Sequence, residues 1–383
     1  MQLRSVEITD FRNLAAMSLS FARGPVIIWG ENGQGKSNLL EAMVLGCTGT
    51  LQRAAKEEEA IGWGKEIARV KVEITRLNEE SLRTEIALAR NAKSLLKIND
   101  ISRRRSDLLG LIPVIAFGAE DLQIIKGDPS RRRQFLNNEL SQLSRSYHWN
   151  LMHYARSLEQ RNRLLKELRE ARRAAEQLLP WEEALARYGA KLIERRGAFL
   201  SQLQLAAQTQ LQRLSPGWGA LQLVYRPAWG VANHDAPFAE LAAKTAHQLE
   251  ALLLERYRQN RGEEIARGFS LVGPHRDDFD LLLGEVDQRI FGSQGQQRSL
   301  AIALRLGLAD MLQEAAGEAP ILLLDDVFSE LDQERRRGLF EALGPARQFF
   351  LTAPAKEEVP EELLTGGQVF RMRQGRIEQV DHG

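Results

Sequence analysis

Residues Gly30-Glu31-Asn32-Gly33-Gln34-Gly35-Lys36-Ser37 match the pattern G-x-x-x-x-G-K-[ST] in full. They follow Pro25 to Trp29, a short, apolar, β-branched run that reads as a buried strand. They precede Asn38 to Cys47, which reads as a helix. Strand, glycine-rich turn and helix together predict a phosphate-binding loop at the edge of an α/β head. The glycines let backbone N–H groups approach phosphate oxygens, and the helix N-terminus adds the positive end of its dipole. Lys36 supplies a point charge for the β- and γ-phosphates, and the Ser37 hydroxyl is a ligand for Mg²⁺. Asn38 completes the candidate nucleotide set. The spacing is not G-x-G-x-x-G, which argues against a dinucleotide turn.

The loop needs an acidic partner, and the most apolar strand of the chain ends in one. Ile321-Leu322-Leu323-Leu324 runs into Asp325-Asp326. Asp325 is the candidate for holding Mg²⁺, directly or through water. Asp326 is the candidate catalytic residue, facing the γ-phosphate and polarising the attacking water. An acidic turn capping the following helix is the competing reading. The phosphate loop tips the balance towards chemistry.

Other segments read as a head interrupted by an insert. Leu3, Val6 and Ile8 open a strand, and Leu19 with Phe21 suggest a second. From Glu66 to Ile101 apolar residues alternate with charges, the pattern of an antiparallel meander with one wet face. Ile112 to Phe117 is a buried-strand candidate. Pro129 to Leu214 is helical and charge-rich. Leu164, Leu168, Ala171, Ala175 and Leu178 follow a 4-3-4-3 spacing, and a helical hairpin is predicted to turn near Pro180. Leu221 to Tyr225 suggests a strand and Phe238 to Tyr257 a helix. Ser270 to Val272 and Gln348 to Leu351 are further strand candidates. The predicted head is 1–128 with 265–383, and the inserted lobe is 129–264.

Composition narrows the class. The chain has 383 residues, 43% hydrophobic and 27% charged, ordinary for a globular protein. One cysteine, Cys47, excludes an internal disulfide, and the six histidines show no metal-ligand spacing. Lys and Arg number 52 against 51 Asp and Glu, so the chain is not coated in positive charge. No apolar run approaches the roughly 18 residues that span a bilayer. Met1 to Asn13 carries Glu7 and Asp10 and lacks a signal-peptide core. A cytoplasmic protein with no membrane partner is expected.

Ser293-Gln294-Gly295-Gln296-Gln297 precedes a predicted helix, Arg298 to Leu312. A hydroxyl, a glycine and a helix N-terminus make an anion site, although the same residues also suit a plain helix cap. The order phosphate loop, S-x-G-Q, D-D strand, then Ser329-Glu330-Leu331-Asp332 resembles that of ABC-type ATPases. Ser37 and Ser293 lie 256 positions apart. Transporter ATPases resemble this order with a much shorter insert, and long-coil chromosome-maintenance proteins with a far longer one. The intermediate insert resembles the RecF family of DNA recombination and repair proteins. Phe11-Arg12-Asn13, Asn38-Leu39-Leu40-Glu41, Arg131-Arg132-Arg133-Gln134-Phe135-Leu136, Gln160-Arg161-Asn162 and Gly273-Pro274-His275-Arg276-Asp277-Asp278 strengthen the resemblance, which runs from about residue 3 to about 373.

The resemblance implies an α/β, ABC-type ATPase head with a mixed sheet and an antiparallel meander, carrying a mostly helical insert. It implies Mg-ATP at Gly30 to Asn38 and at Arg12, Asn13, Ser293, Gly295, Gln296, Asp332 and Thr352. Two heads would sandwich two ATP molecules, each between one copy's loop and the other's signature segment. The ATP-bound homodimer would bind duplex DNA at gaps or single-strand/duplex junctions. It would work with RecR and RecO so that RecA loads, in fork recovery and the SOS response. A weak, DNA-stimulated ATPase is expected. Three positions depart from transporter patterns. Glu120 or Asp121 stands where a glutamine is usual, Thr352 where a switch histidine is, and Asp326 where glutamate is.

Between Lys126 and Arg173 twelve basic residues face five acidic ones. Arg131, Arg132 and Arg133 are therefore candidate DNA contacts, with a solvated helix face as the alternative. His275 and Arg276 invite a catalytic-base reading, but packing or head organisation fits them better. Two rival functions remain at this stage: the ATPase subunit of a membrane transporter, and a nucleotide-binding scaffold without turnover.

Overall fold

The computed structural model describes residues 1–51, 56–171, 175–229, 244–328, 331–344 and 347–382. The chain divides into two compact units. The first comprises Met1–Asp121, Thr209–Gly217 and Arg298–Gly383, the second Leu122–Gln208 and Trp218–Gln297.

Two six-stranded sheets build the first unit. One is antiparallel, ordered Met17–Ser20, Gln2–Thr9, Ile67–Thr75, Ser81–Ala89, Leu95–Ile98, Ile101–Arg103. Burial alternates along Ile67–Thr75 and Ser81–Ala89, as the period-two pattern predicts for a sheet with one wet face. The other sheet is mixed, ordered Arg376–His382, Gln368–Arg373, Pro25–Trp29, Phe349–Ala353, Ile321–Asp325, Val114–Phe117. Its central strands are parallel and buried nearly throughout, which explains their unbroken apolar sequences.

The helix Lys36–Thr48 shares one apolar core with both sheets. Leu39 and Met43 pack there with Val70 and Val72 of the antiparallel sheet and with Ile321, Leu323 and Phe350 of the mixed one. That burial explains why the helix is apolar nearly all round. Gly46 permits the approach of the antiparallel sheet. A Cβ there would lie 2.6 Å from Val72 Cγ1. Thr84 Oγ1 donates to the Gly46 carbonyl at 2.6 Å. Cys47 is buried on this helix, and burial pushes its thiol up to about 12, so it packs as a small apolar residue.

The second unit carries helices Pro129–Leu143, Arg145–Ala171, most of Leu179–Leu214 and Ala246–Arg267. A three-stranded antiparallel sheet, ordered Val286–Asp287, Asp278–Leu283, Leu221–Arg226, joins them. Several sequence expectations shift here. Helices Arg145–Ala171 and Leu179–Leu214 flank the turn predicted near Pro180, but Pro180 is not in the turn itself. It stands in the first turn of Leu179–Leu214, where a missing N–H costs nothing. The 4-3-4-3 positions are split between two elements, Leu164, Leu168 and Ala171 in Arg145–Ala171, and Ala175 and Leu178 in a short 3-10 helix, Ala175–Leu178. Leu165, Leu168 and Leu178 instead form a small cluster with Leu164 and Ile265. The helix expected over Phe238–Tyr257 begins at Ala246, capped reciprocally by Thr245 and Gln248, and residues 230–243 lie outside the described residues. Ser270 to Val272 contributes a single bridge, Val272 to Trp229, rather than a strand. Among the described residues no helix is long and apolar enough to cross a membrane.

Candidate functional site

The phosphate loop is shaped by its glycines and braced from behind. Gly33 and Gly35 sit at φ 80° and 108°, in the left-handed region that glycine alone enters freely. A Cβ on Gly30 would strike the Met372 carbonyl oxygen. Gln34 accepts from Gln374 N–H through Oε1 at 2.6 Å and from Gly375 N–H through its carbonyl at 2.8 Å. Asn38 Nδ2 donates to Asn13 Oδ1 at 2.7 Å, tying the first turn of the helix to the Phe11-Arg12-Asn13 stretch. Gly35 is the N-cap and supplies no side chain, so the helix N-terminus is left to an anion.

Lys36 lies over this loop. Its Nζ donates to the carbonyls of Gly30 and, at 2.9 Å, Glu31. Burial lowers the ammonium's pKa, while the charges of Asp326 and Asp325 pull it up. A buried cation resting on two carbonyls is poised to exchange them for phosphate oxygens.

The acidic strand meets the loop at a short polar cluster. Ser37 Oγ donates to Asp325 Oδ1 at 2.9 Å. Thr352 Oγ1 donates to the same oxygen at 2.9 Å and accepts from the Asp326 N–H at 2.9 Å. Strand register explains the meeting: Asp325 pairs with Thr352, and Thr352 pairs with Ile28 just before the loop. Thr352 stands at the position where transporters place a switch histidine. Here it is buried and its hydroxyl binds the two aspartates, so it positions them. Asp326 occupies φ 55°, a region that aspartate tolerates better than most side chains.

The residues fit a magnesium nucleotide. A hydroxyl and a carboxylate at hydrogen-bond distance are oxygen donors of the kind Mg²⁺ prefers. Among the described residues no group of three or more His, Cys, Asp and Glu could hold a metal. An Mg²⁺ held by Ser37 and Asp325 would draw the rest of its shell from phosphate oxygens and water.

Further predicted residues are placed differently. Arg12 grips Glu41 of the loop helix through one hydrogen bond, Nη2 to Oε1 at 2.9 Å, and an ion pair, Nε with Oε2 at 2.7 Å. Asp332 caps the helix Gln333–Leu343 through Arg335 N–H at 2.9 Å. Asp121 accepts from Arg305 Nη2 at 2.6 Å and from Gly118 N–H at 2.9 Å, a structural anchor, whereas Glu120 is exposed. Ser293 and Gln296 form a reciprocal cap on the helix Gln294–Ala316, Gln296 N–H to Ser293 Oγ at 3.2 Å and Ser293 N–H to Gln296 Oε1 at 2.9 Å. Gly295 stands in that helix's first turn.

The arginine run needs a correction. Arg131 is exposed, but Arg132 is buried. Arg132 binds both oxygens of Asp278 and donates to the Gly127 carbonyl at 2.7 Å. Arg133 is half-buried and donates to the Asp277 carbonyl at 2.9 Å. A guanidinium 1% exposed and bonded to Asp278 and Gly127 inside the fold is out of reach of DNA, so the expected contact of Arg132 gives way to a structural one.

That pairing belongs to a buried network around residues 270–278, which sequence reasoning missed. Arg161 binds Ser270 Oγ at 2.7 Å, Glu264 at 2.6 Å and Glu182 at 3.0 Å. Asn162 accepts from both the N–H and the hydroxyl of Ser270 at 2.8 Å. Arg196 donates to the Pro274 carbonyl at 2.7 Å and Asn137 Oδ1 at 2.9 Å. Asp277 accepts from Tyr225 and from Ala228 N–H, and burial pushes its carboxyl up against the pull of Arg196. His275 bonds Tyr154 at 2.7 Å and the Ser270 carbonyl at 3.2 Å. Burial drives its imidazole down to about 3, so it is a neutral packing element here. Arginine and histidine at Arg161 and His275 signalled something in the sequence, but their acidic and aromatic partners lie too far along the chain to be paired by eye.

The sequence pattern of the RecF/RecN/SMC N terminal domain matches residues 2–377. The chain is similar to the DNA replication and repair protein RecF of Halothermothrix orenii, 35% identical over 98% of each chain. It is equally similar to that of Heliobacterium modesticaldum, 35% identical over 98% of this chain and 99% of the relative. A solved structure of the recombination mediator protein RecF with ATP, from the RecFOR pathway, superposes with a TM-score of 0.87 at 31% identity, over 98% of this chain and 96% of that one. An Smc head bound to a winged-helix domain of ScpA matches at a TM-score of 0.54 and 14% identity, over 100% of this chain and 97% of that one, a likeness of fold alone.

Proposed function

The chain belongs to the RecF family of DNA replication and repair proteins, and from that premise we propose that it is an ATP-gated DNA clamp. The observation that carries this reading is the cluster of Ser37, Asp325, Thr352 and the Asp326 backbone at the mouth of the phosphate loop. Two copies enclose two ATP molecules, each held by one copy's Gly30 to Asn38 and closed by the other copy's Ser293, Gly295 and Gln296. Residues 1–128 and 265–383 act as the ATPase head, and 129–264 as its insert.

The chain's own groups divide the work. Loop amides and Lys36 bind the phosphates. Ser37 and Asp325 would hold Mg²⁺, which would supply charge neutralisation for the phosphates. Asp326 orients a water in line with the γ-phosphorus. The new P–O bond forms as the bond to the bridging oxygen of ADP breaks, and the water's proton ends on the released phosphate. Aspartate is one methylene shorter than glutamate, and a misplacement of about 1 Å can cost on the order of 100-fold in rate. Slow hydrolysis suits a clamp that persists on DNA.

The ATP-bound dimer holds duplex DNA beside single-strand gaps, in the cytoplasm, and works with RecR and RecO to load RecA. Fork recovery and the SOS response are its proposed settings. Family membership supports these partners. The test is binding of a gapped duplex without nucleotide, with ADP and with a slowly hydrolysed ATP analogue. Tight binding is expected only with the analogue. Equal binding in all three states would contradict the clamp.

A further inference from the structure

Two helices of the second unit carry three aromatic rings on an outer face. Trp149 and His153 lie one turn apart on Arg145–Ala171, with ring centroids 4.0 Å apart. Tyr188, on Leu179–Leu214, stacks on His153 at 5.2 Å with 29° between the planes and meets Trp149 edge-on at 5.6 Å. The helices are held side by side by other residues. Arg196 Nε donates to Tyr147 Oη at 3.0 Å, and Arg161 Nη2 to Glu182 at 3.0 Å. The packing therefore does not require Trp149 to face outward, yet it is 52% exposed, with Met152 beside it at 44%.

Cations frame these rings. Helical spacing puts Arg145 and Arg156 on the face of Trp149, and Lys191 and Arg195 on the face of Tyr188. All four are exposed. Glu159 ends the stripe one turn beyond Arg156. An apolar protein surface docking here would have to desolvate the surrounding charges. A single-stranded nucleic acid meets both needs, since every base has a π-face and every nucleotide a phosphate. A duplex keeps its base faces stacked inside and offers this surface only its phosphates.

We propose that this face is a stacking platform for unpaired bases of a single strand, with Trp149 taking a base and the four cations following the phosphates. The proposal goes beyond the duplex-binding reading and rests on it only in taking DNA as the strand. The test uses the full chain with a slowly hydrolysed ATP analogue, a short oligothymidylate and a duplex of equal length at one salt concentration. Trp149→Ala should weaken oligothymidylate binding about tenfold and leave duplex binding unchanged. Trp149→Phe, which keeps a ring, should retain most of the single-strand affinity. Equal oligothymidylate binding by Trp149→Ala and wild type would overturn the platform, as would an equal loss on both ligands. Both of those results would leave the duplex-binding reading standing. A wild-type chain that binds neither ligand would end both.

Discussion

Arg132 and Asp278 meet through two parallel bonds, Nε to Oδ1 at 2.6 Å and Nη2 to Oδ2 at 3.0 Å, although the chain separates them by 146 positions. Arg132 is 1% exposed, so the pair is a buried link between a helix and a strand of one unit. Removing Arg132 takes both charged bonds from Asp278, leaves it, among the described residues, only the ion pair with Arg289 at 3.9 Å and empties a buried site. Arg132→Ala should therefore destabilise the protein by about 3–5 kcal/mol in denaturant unfolding. Its exposed neighbour separates structure from binding. Arg131→Ala should change stability by less than about 0.5 kcal/mol. If Arg131 touches a phosphate, the slope of log affinity against log salt becomes shallower by about 0.9. Equal unfolding midpoints for the two variants would contradict this division.

Lys36→Ala removes the ammonium that rests on the Gly30 and Glu31 carbonyls. Losing a charge-assisted contact to phosphate should weaken ATP binding by about 100-fold, with the fold intact. Calorimetry of ATP binding checks this, and unchanged affinity would remove the loop from the nucleotide site.

Asp326 is tested by single-turnover hydrolysis. Asp326→Asn keeps the shape and, like aspartate, tolerates φ 55°, but lacks the charge that orients water. Turnover should fall by about 100-fold or more while Mg-ATP binding persists. Asp326→Glu tests the backbone. A longer side chain tolerates the left-handed region less well, so a simple gain in rate from added reach is not expected. Wild-type turnover in Asp326→Asn would end the assignment.

His275 gives the fold a pH signature. Its folded pKa, about 3, lies below its ordinary 6.5, so the unfolded chain binds the extra proton first. Stability from this group is complete above about pH 6.5 and is lost as pH falls towards 3, by at most about 1.4 kcal/mol per pH unit. Comparing urea midpoints at two pH values, one near neutral and one near 5, isolates the effect from the carboxylates. Wild type should lose more stability on acidification than His275→Gln. Parallel losses would mean that His275 is protonated in the folded protein.

The phosphate loop and the acidic strand were legible because each is contiguous and its chemistry acts over a few residues. Their meeting is a matter of register. Nothing local to Thr352 reveals that strand pairing sets it level with Asp325. The antiparallel meander was legible through its period of two, but Pro180 misled because proline both breaks helices and starts them. The arginines were least legible. A charge-dense helix does not declare its inner face, and Arg132, Arg161 and Arg196 turn inward only because Asp278, Glu264 and Asp277 wait at distant positions. Similarly, Ser293 and Gln296 read as an anion site, and the structure adds that the same atoms cap their helix.

In the proposed clamp, ATP joins two copies through the loop of one and the signature segment of the other. The most direct measurement is molecular mass in solution without nucleotide, with ADP and with a slowly hydrolysed ATP analogue, for wild type and Ser293→Arg. The wild type should dimerise only with the analogue. Ser293→Arg should bind the analogue yet stay monomeric, because a bulky cation fills the place of the partner's γ-phosphate. A wild-type mass that ignores nucleotide, or a Ser293→Arg chain that dimerises as well as wild type, would contradict the clamp.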